Sequence, residues 1–151
     1  MMNNITPHNY AQVVDWILRE SVTVDNVNFA GQGNIYEINS MEITRYPLVW
    51  VSATRPATET ENYWTYNLTL YYFDRLKDQC EDVNDADSLI SQSNGIEALS
   101  ALINKIRNSD WVYDLGYDNG YTMFSSTPVF NDYCTGVYTE ISVKVPKVSI
   151  C

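Results

Sequence analysis

Residues 62–76 read NYWTYNLTLYYFDRL, and this stretch decides the fold. Trp64, Tyr66, Leu68, Leu70 and Tyr72 alternate with Thr65, Asn67, Thr69, Tyr71 and Phe73. Successive strand side chains point to opposite faces, so the pattern predicts a long strand with one apolar face and one amphipathic face. Tyr, Trp, Phe and Thr suit a pleated surface, and no proline or glycine interrupts the run, which places it centrally in a sheet. The apolar face should meet helices. Tyr71 and Phe73, on the other face, need a further covering layer, and a neighbouring subunit would supply one.

Two more segments have strand character. Residues 46–53, YPLVWVSA, carry a continuous apolar run expected to be covered on both faces, with Pro47 at its start. Residues 137–145 alternate Val137, Thr139, Ile141, Val143 and Val145 with Tyr138, Glu140, Ser142 and Lys144, and Pro146 ends the run. Shorter β-segments are expected at 22–30 and 34–39, joined by a flexible turn at Gly31-Gln32-Gly33, and at 111–115. A hairpin-type turn at 116–120 and an extended segment at 121–130 follow the last of these. Between the two long strands, the polar 54–61 segment reads as a protruding hairpin loop or a solvated turn.

Two helices complete the set. Thr6-Pro7 suits a helix start, and Tyr10, Val13, Val14, Ile17 and Leu18 recur at helical spacing over 7–20. The second helix, 87–108, keeps Leu89, Ile90, Ile96, Leu99, Leu102, Ile103 and Ile106 on one face, with Ser93-Asn94-Gly95 interrupting it. Strands grouped together with helices covering them give an α+β fold: a mainly antiparallel sheet packed with two α-helices, in one domain over 1–151.

Composition narrows the function. The net charge of −10 opposes binding to nucleic-acid backbones; it serves solubility, or lines a passage along which DNA slides without sticking. Twelve tyrosines and four tryptophans suit both an aromatic-rich sheet and subunit contacts. Cys80, Cys134 and Cys151 are scattered and odd in number, so neither a zinc site nor a disulfide framework is indicated, and synthesis in a reducing compartment is expected. The N-terminus lacks a signal-peptide pattern, and no run reaches membrane-spanning length. The sequon at Asn67 lies mid-strand without a secretion signal and is set aside.

Motifs for chemistry are missing. GxSxG, HExxH and Walker A do not occur, and Gly31-Gln32-Gly33 is no phosphate loop. The lone His8 has no nucleophile or metal partner marked by spacing, and Cys134 has no paired histidine. The acidic 74–87 stretch fails as an EF-hand from Asp82, with no acceptor at Ala86 and no glycine at the sixth loop position, so it reads as a solvated loop. No enzyme activity, cofactor or metal is expected.

The order of elements, with YPLVWVSATRP, YNLTLYYFDRL, the QSNGIEALSALINKIR helix and the Phe130…Asp132…Cys134-Thr135-Gly136-Val137 lead into the last strand, resembles the small ring proteins of tailed phages. These are the tail terminators and head–tail connector (neck) subunits, in particular those of Bacteroides-infecting phages including the crAss-like group. The resemblance implies a virion protein made in the host cytoplasm that closes into a homo-oligomeric ring of six or twelve. Portal, connector or other tail rings would be its partners, and DNA would pass through its channel unbound. Long hairpin loops would grip neighbours. The contact elements it implies are 54–61, the aromatic face of the long strand and 111–121, with Arg55, Glu59, Tyr63, Trp64, Tyr71, Phe73, Trp111 and Tyr117 as contact residues. The acidic 74–87 loop matches no shared feature. A phage adhesin or carbohydrate-binding module using exposed Trp and Tyr is the alternative; a hydrolase would need a pocket of convergent titratable groups.

Replacing Trp64 or Tyr71 by alanine is expected to harm folding or assembly more than replacing Asp82, since a buried aromatic contributes roughly 3–5 kcal/mol. Equal tolerance at the three positions in urea melts would mean the central strand is misplaced.

Overall fold

A computed structural model of the chain describes residues 6–40, 46–54, 56–75, 85–115, 122–126 and 134–147. Its strands are β1 (Phe29–Gln32), β2 (Leu48–Ser52), β3 (Ala57–Glu59), β4 (Tyr63–Arg75), β5 (Phe124–Ser126) and β6 (Cys134–Pro146). Its α-helices are α1 (Tyr10–Ser21) and α2 (Asp85–Arg107), and a 3₁₀ turn spans Ile35–Ser40. The sheet runs β1-β2-β4-β6-β5, with β3 beside the start of β4. All pairings are antiparallel except β1 with β2. The architecture is α+β, as the grouping of elements predicts.

The predicted central strand is β4, paired along its whole length with β6 from Tyr63↔Pro146 to Arg75↔Cys134. Its alternation is realised in burial. Tyr66, Leu68, Leu70 and Tyr72 lie in the main core with Val49, Val51, Val137, Ile141, Val143 and Val145 from the flanking strands. Val13, Val14 and Ile17 of α1 and Leu99, Leu102, Ile103 and Ile106 of α2 cover that face. Burial raises the Tyr72 phenol above the ordinary tyrosine range, and the charge of Asp74 adds to the shift.

A smaller core lies on the other face, where Ile38 of the 3₁₀ turn packs with Leu48, Trp50 and Phe73. The chain itself therefore covers Phe73, which is 1% exposed and needs no neighbour to shield it. The 34–39 stretch is thus a helical turn and not a β-segment. Likewise 22–30 yields only the short β1, because Val24 and Val27 enter the core from turns, and Asn26 takes a positive φ of 67° that breaks extension. Nor do Gly31 and Gln32 form a hairpin turn. They lie in β1, parallel to β2, and Gly31 opposes Trp50. A Cβ at Gly31 would collide with the indole, whose Nε1 donates to the Gly33 carbonyl at 3.1 Å.

Other boundaries move for local reasons. Asn9, a stronger N-cap than Thr6, accepts from Gln12 N at 2.9 Å, so α1 starts at Tyr10 with Pro7 ahead of it. The 54–61 segment is not a protruding loop. Residues 57–59 add to the edge of β4, and Thr60 closes the turn with its N and Oγ1 both donating to the Tyr63 carbonyl at 2.9 Å. The 111–115 segment makes one bridge, Asp114↔Lys144, in place of a strand. The 116–120 turn and residues 76–84 of the acidic loop lie outside the described residues.

α2 runs unbroken through Gly95, and Leu89, Ile90 and Ile96, expected on its core face, are exposed. Its buried stripe instead passes through Ser91, Gly95, Ala98, Leu99, Leu102, Ile103 and Ile106. Small residues at 91 and 95 let the helix approach the sheet. A Cβ at Gly95 would fall 2.6 Å from Tyr72 Cδ1 and 2.8 Å from Val137 Cγ2. Gly95→Ala should therefore lower the urea midpoint without changing the slope: overpacking costs about 1–3 kcal/mol, against about 1 kcal/mol of helix propensity gained. A raised midpoint would show that the helix does not bear on the sheet there.

Candidate functional site

The face of the sheet away from the helices is built in rows set by strand register. Beyond Leu48, Trp50 and Phe73, under the 3₁₀ turn, it has no helix over it among the described residues. One row crosses the sheet as Trp50, Tyr71, Tyr138 and Phe124, residues paired strand to strand. From Tyr71 outward its rings touch in sequence. Tyr71 stacks on Phe73 at 5.6 Å between centroids, Tyr71 meets Tyr138 at 5.4 Å, and Tyr138 meets Phe124 at 5.2 Å. Exposure grows along the row, from 3% at Trp50 to 43% at Phe124.

Polar rows follow. Thr69 pairs with Glu140, Asn67 with Ser142, and Thr65 with Lys144. Ser142 Oγ lies 2.9 Å from Asn67 Oδ1, to which it donates. Thr54, Thr58, Asn67, Thr69, Glu140 and Ser142 line a shallow groove here of about 460 Å³. At the far end a second aromatic group closes the face. Tyr63 lies 4.6 Å from Tyr113, and the Lys144 ammonium sits 5.5 Å from the Tyr63 ring centroid. The hydrogen bond to Tyr113, with smaller contributions from burial and the neighbouring charge, raises the Tyr63 phenol.

A different groove, of about 580 Å³, opens at the end of the sheet beside the start of α1. His8, Tyr10, Ala57, Trp64, Tyr66 and Lys147 line it. Tyr10 and Tyr66 lie 5.9 Å apart, both phenols raised by burial, and Lys147 stands 5.4 Å over Trp64 while binding Glu59 at 2.6 Å. Its walls are aromatic, with a cation at the rim. Among the described residues, no group of three or more His, Cys, Asp or Glu comes together as a metal site would need.

The residues singled out from sequence divide between these surfaces. Tyr63 and Tyr71 lie on the open face; Glu59 and Trp64 lie at the end groove. Phe73 is sealed in the smaller core, and Trp111, 7% exposed, packs edge-on against Trp16 at 5.0 Å, so neither presents a surface to a partner. Tyr72, on the contact face implied by resemblance, is fully buried. Arg55 and Tyr117 lie outside the described residues. Sequence reading passed over Tyr138, Glu140, Lys144 and Phe124. The first three were legible as the outward set of the 137–145 alternation; Phe124 joins them only through pairing with β6.

No protein-family model and no curated protein sequence matches the chain.

Two phenylalanines on one face separate core from surface. Phe73→Ala should cost about 3–5 kcal/mol in urea unfolding, and Phe124→Ala less than about 1 kcal/mol. Equal losses would mean that Phe124 is covered within the monomer.

Proposed function

We propose that the chain is a structural virion protein: a subunit of an oligomeric ring at the head–tail connector or in the tail of a tailed phage. It completes assembly and leaves a channel for DNA. The observation carrying the oligomeric part is the open sheet face, where Tyr71, Tyr138 and Phe124 form a contiguous aromatic row with no helix over it among the described residues. Contiguous exposed apolar surface on a folded chain marks an interaction site. Among the described residues the short strands β1 and β5 end the sheet, and through such edges one subunit's sheet would continue into the next. The virion setting rests on the resemblance of the long strands and the second helix to ring proteins. The net charge of −10 suits a passage that repels DNA instead of holding it.

The end groove favours a second reading, a carbohydrate-binding or adhesin module. Tyr10, Trp64 and Tyr66 offer ring faces of the kind sugars stack on, with Lys147 as a polar contact at the rim.

Native mass measurement and particle imaging of the purified protein, with fractionation of virions, separate the two. Closed rings of six or twelve and a place in the virion neck or tail are expected. A stable monomer that never enters virions would overturn the proposal, and host-glycan binding without a neck location would establish the second reading.

A further inference from the structure

The open face has an internal order that random surface lacks. Along β4 and β6 it runs aromatic, acid, amide and hydroxyl, base, aromatic. Tyr71 and Tyr138 form the first row, Thr69 and Glu140 the next, and Asn67 and Ser142 the middle. Thr65 and Lys144 follow, and Tyr63 and Pro146 close the series. The series is symmetric about the Asn67–Ser142 row except in charge, where it is antisymmetric: Glu140 lies two residues to one side and Lys144 two residues to the other.

We infer that this face packs against the same face of a second copy, about a two-fold axis that lies between the two sheets, runs across the strands and passes over the Asn67–Ser142 row. This names the partner of the surface on which the oligomeric part of the proposed function rests, and it is independent of the phage setting. A two-fold contact brings residue i to residue j and j to i. Rotation about this axis keeps β6 facing β6 and reverses its direction. Glu140 of one copy then meets Lys144 of the other, twice per pair, each roughly 7 Å from the axis at the strand rise. Tyr71 and Tyr138 come over the partner's Tyr63 and Pro146, roughly 13 Å from the axis. Packed sheets stand about 10 Å apart, a gap that a glutamate and a lysine span together. Glu140 is exposed, and the groove of about 460 Å³ that it lines gives the incoming lysine a place to enter. Either end of the face is apolar and the centre is hydrogen-bonded, so no like charges from the β4 and β6 rows meet in this register; Asp114, bridged to Lys144, lies beside the contact. A slip of two residues along the strand would set the lysines against Ser142 and the glutamates against Pro146, or the glutamates against Ser142 and the lysines against Tyr138.

Glu140→Lys and Lys144→Glu, made singly, together, and mixed one with the other, test the contact by sedimentation equilibrium of the full chain. Wild type is expected to self-associate, more weakly at high salt. Each single variant should raise the dissociation constant by at least about tenfold, because both contacts become repulsive. The double variant should return to near the wild-type value. An equimolar mixture of the two single variants should form heterodimers, since every facing pair is then opposite in sign, and a misfolded variant would not regain a partner on mixing. A wild type that stays monomeric overturns the inference, as do single variants that associate normally or a mixture that fails to pair. Rings that form regardless of these charges would sink the two-fold contact and leave the ring proposal standing; two-fold dimers without rings or a virion location would do the reverse.

Discussion

The pairing of β4 with β6 is the constraint on which the rest depends. The ladder is continuous from Tyr63↔Pro146 to Arg75↔Cys134, so it fixes which side chains share a face over its full length. A shift of one residue would turn Leu68, Leu70 and Tyr72 to the open side and bring Thr69 and Tyr71 under the helices. Gly136 secures the register at one end, because a Cβ there would collide with the Tyr72 carbonyl. The two α-helices then have only one apolar surface to cover, and both take it. Close approach of α2 depends on Gly95, which leaves room for Tyr72 and Val137, while Ser91 beside it donates to Asp74.

Much of this was legible because strand alternation is local. The stretch 62–76 reads correctly as a central strand with Tyr66, Leu68, Leu70 and Tyr72 toward the helices, and 137–145 reads correctly by the same rule. What failed was non-local. Ile38 looks like a residue of a weak strand, and nothing nearby in sequence says that it plugs the far side of Phe73 and Trp50. Leu89, Ile90 and Ile96 outweigh Ser91 and Gly95 in hydrophobicity, so a periodicity reading finds Leu99, Leu102, Ile103 and Ile106 but misplaces the face in the first half of α2. Steric fit to Tyr72 decides that face, and it is invisible until the strand and helix are brought together.

The candidate site shows the same division. Of the contacts that the resemblance implies on the long strand, Tyr63 and Tyr71 lie on its outward face and Trp64 and Tyr72 on the other. Trp111 was implied as a contact by the resemblance, yet its indole is buried and packs against Trp16. Tyr138 and Phe124 acquire meaning only when register lines them up with Tyr71. A surface row of this kind is a property of three strands at once, and no single stretch of sequence carries it.

The mixed character of the open face has a physical reason. A wholly apolar sheet face on a chain of 151 residues would associate in any orientation, and the exposed edge strands would invite uncontrolled pairing. Aromatic rows at the two ends supply area, while Glu140, Lys144 and the Asn67–Ser142 pair restrict how that area is used. Each charge is tolerable in water and costly when buried against apolar or like-charged groups. Misaligned encounters of two copies therefore gain contact but lose hydration without compensation. Only an arrangement that sets acid against base avoids that loss, so the polar rows contribute register more than affinity. Tyr71 and Tyr138 cover part of one another's ring surface at 5.4 Å, and they would have the most to gain from a matching surface.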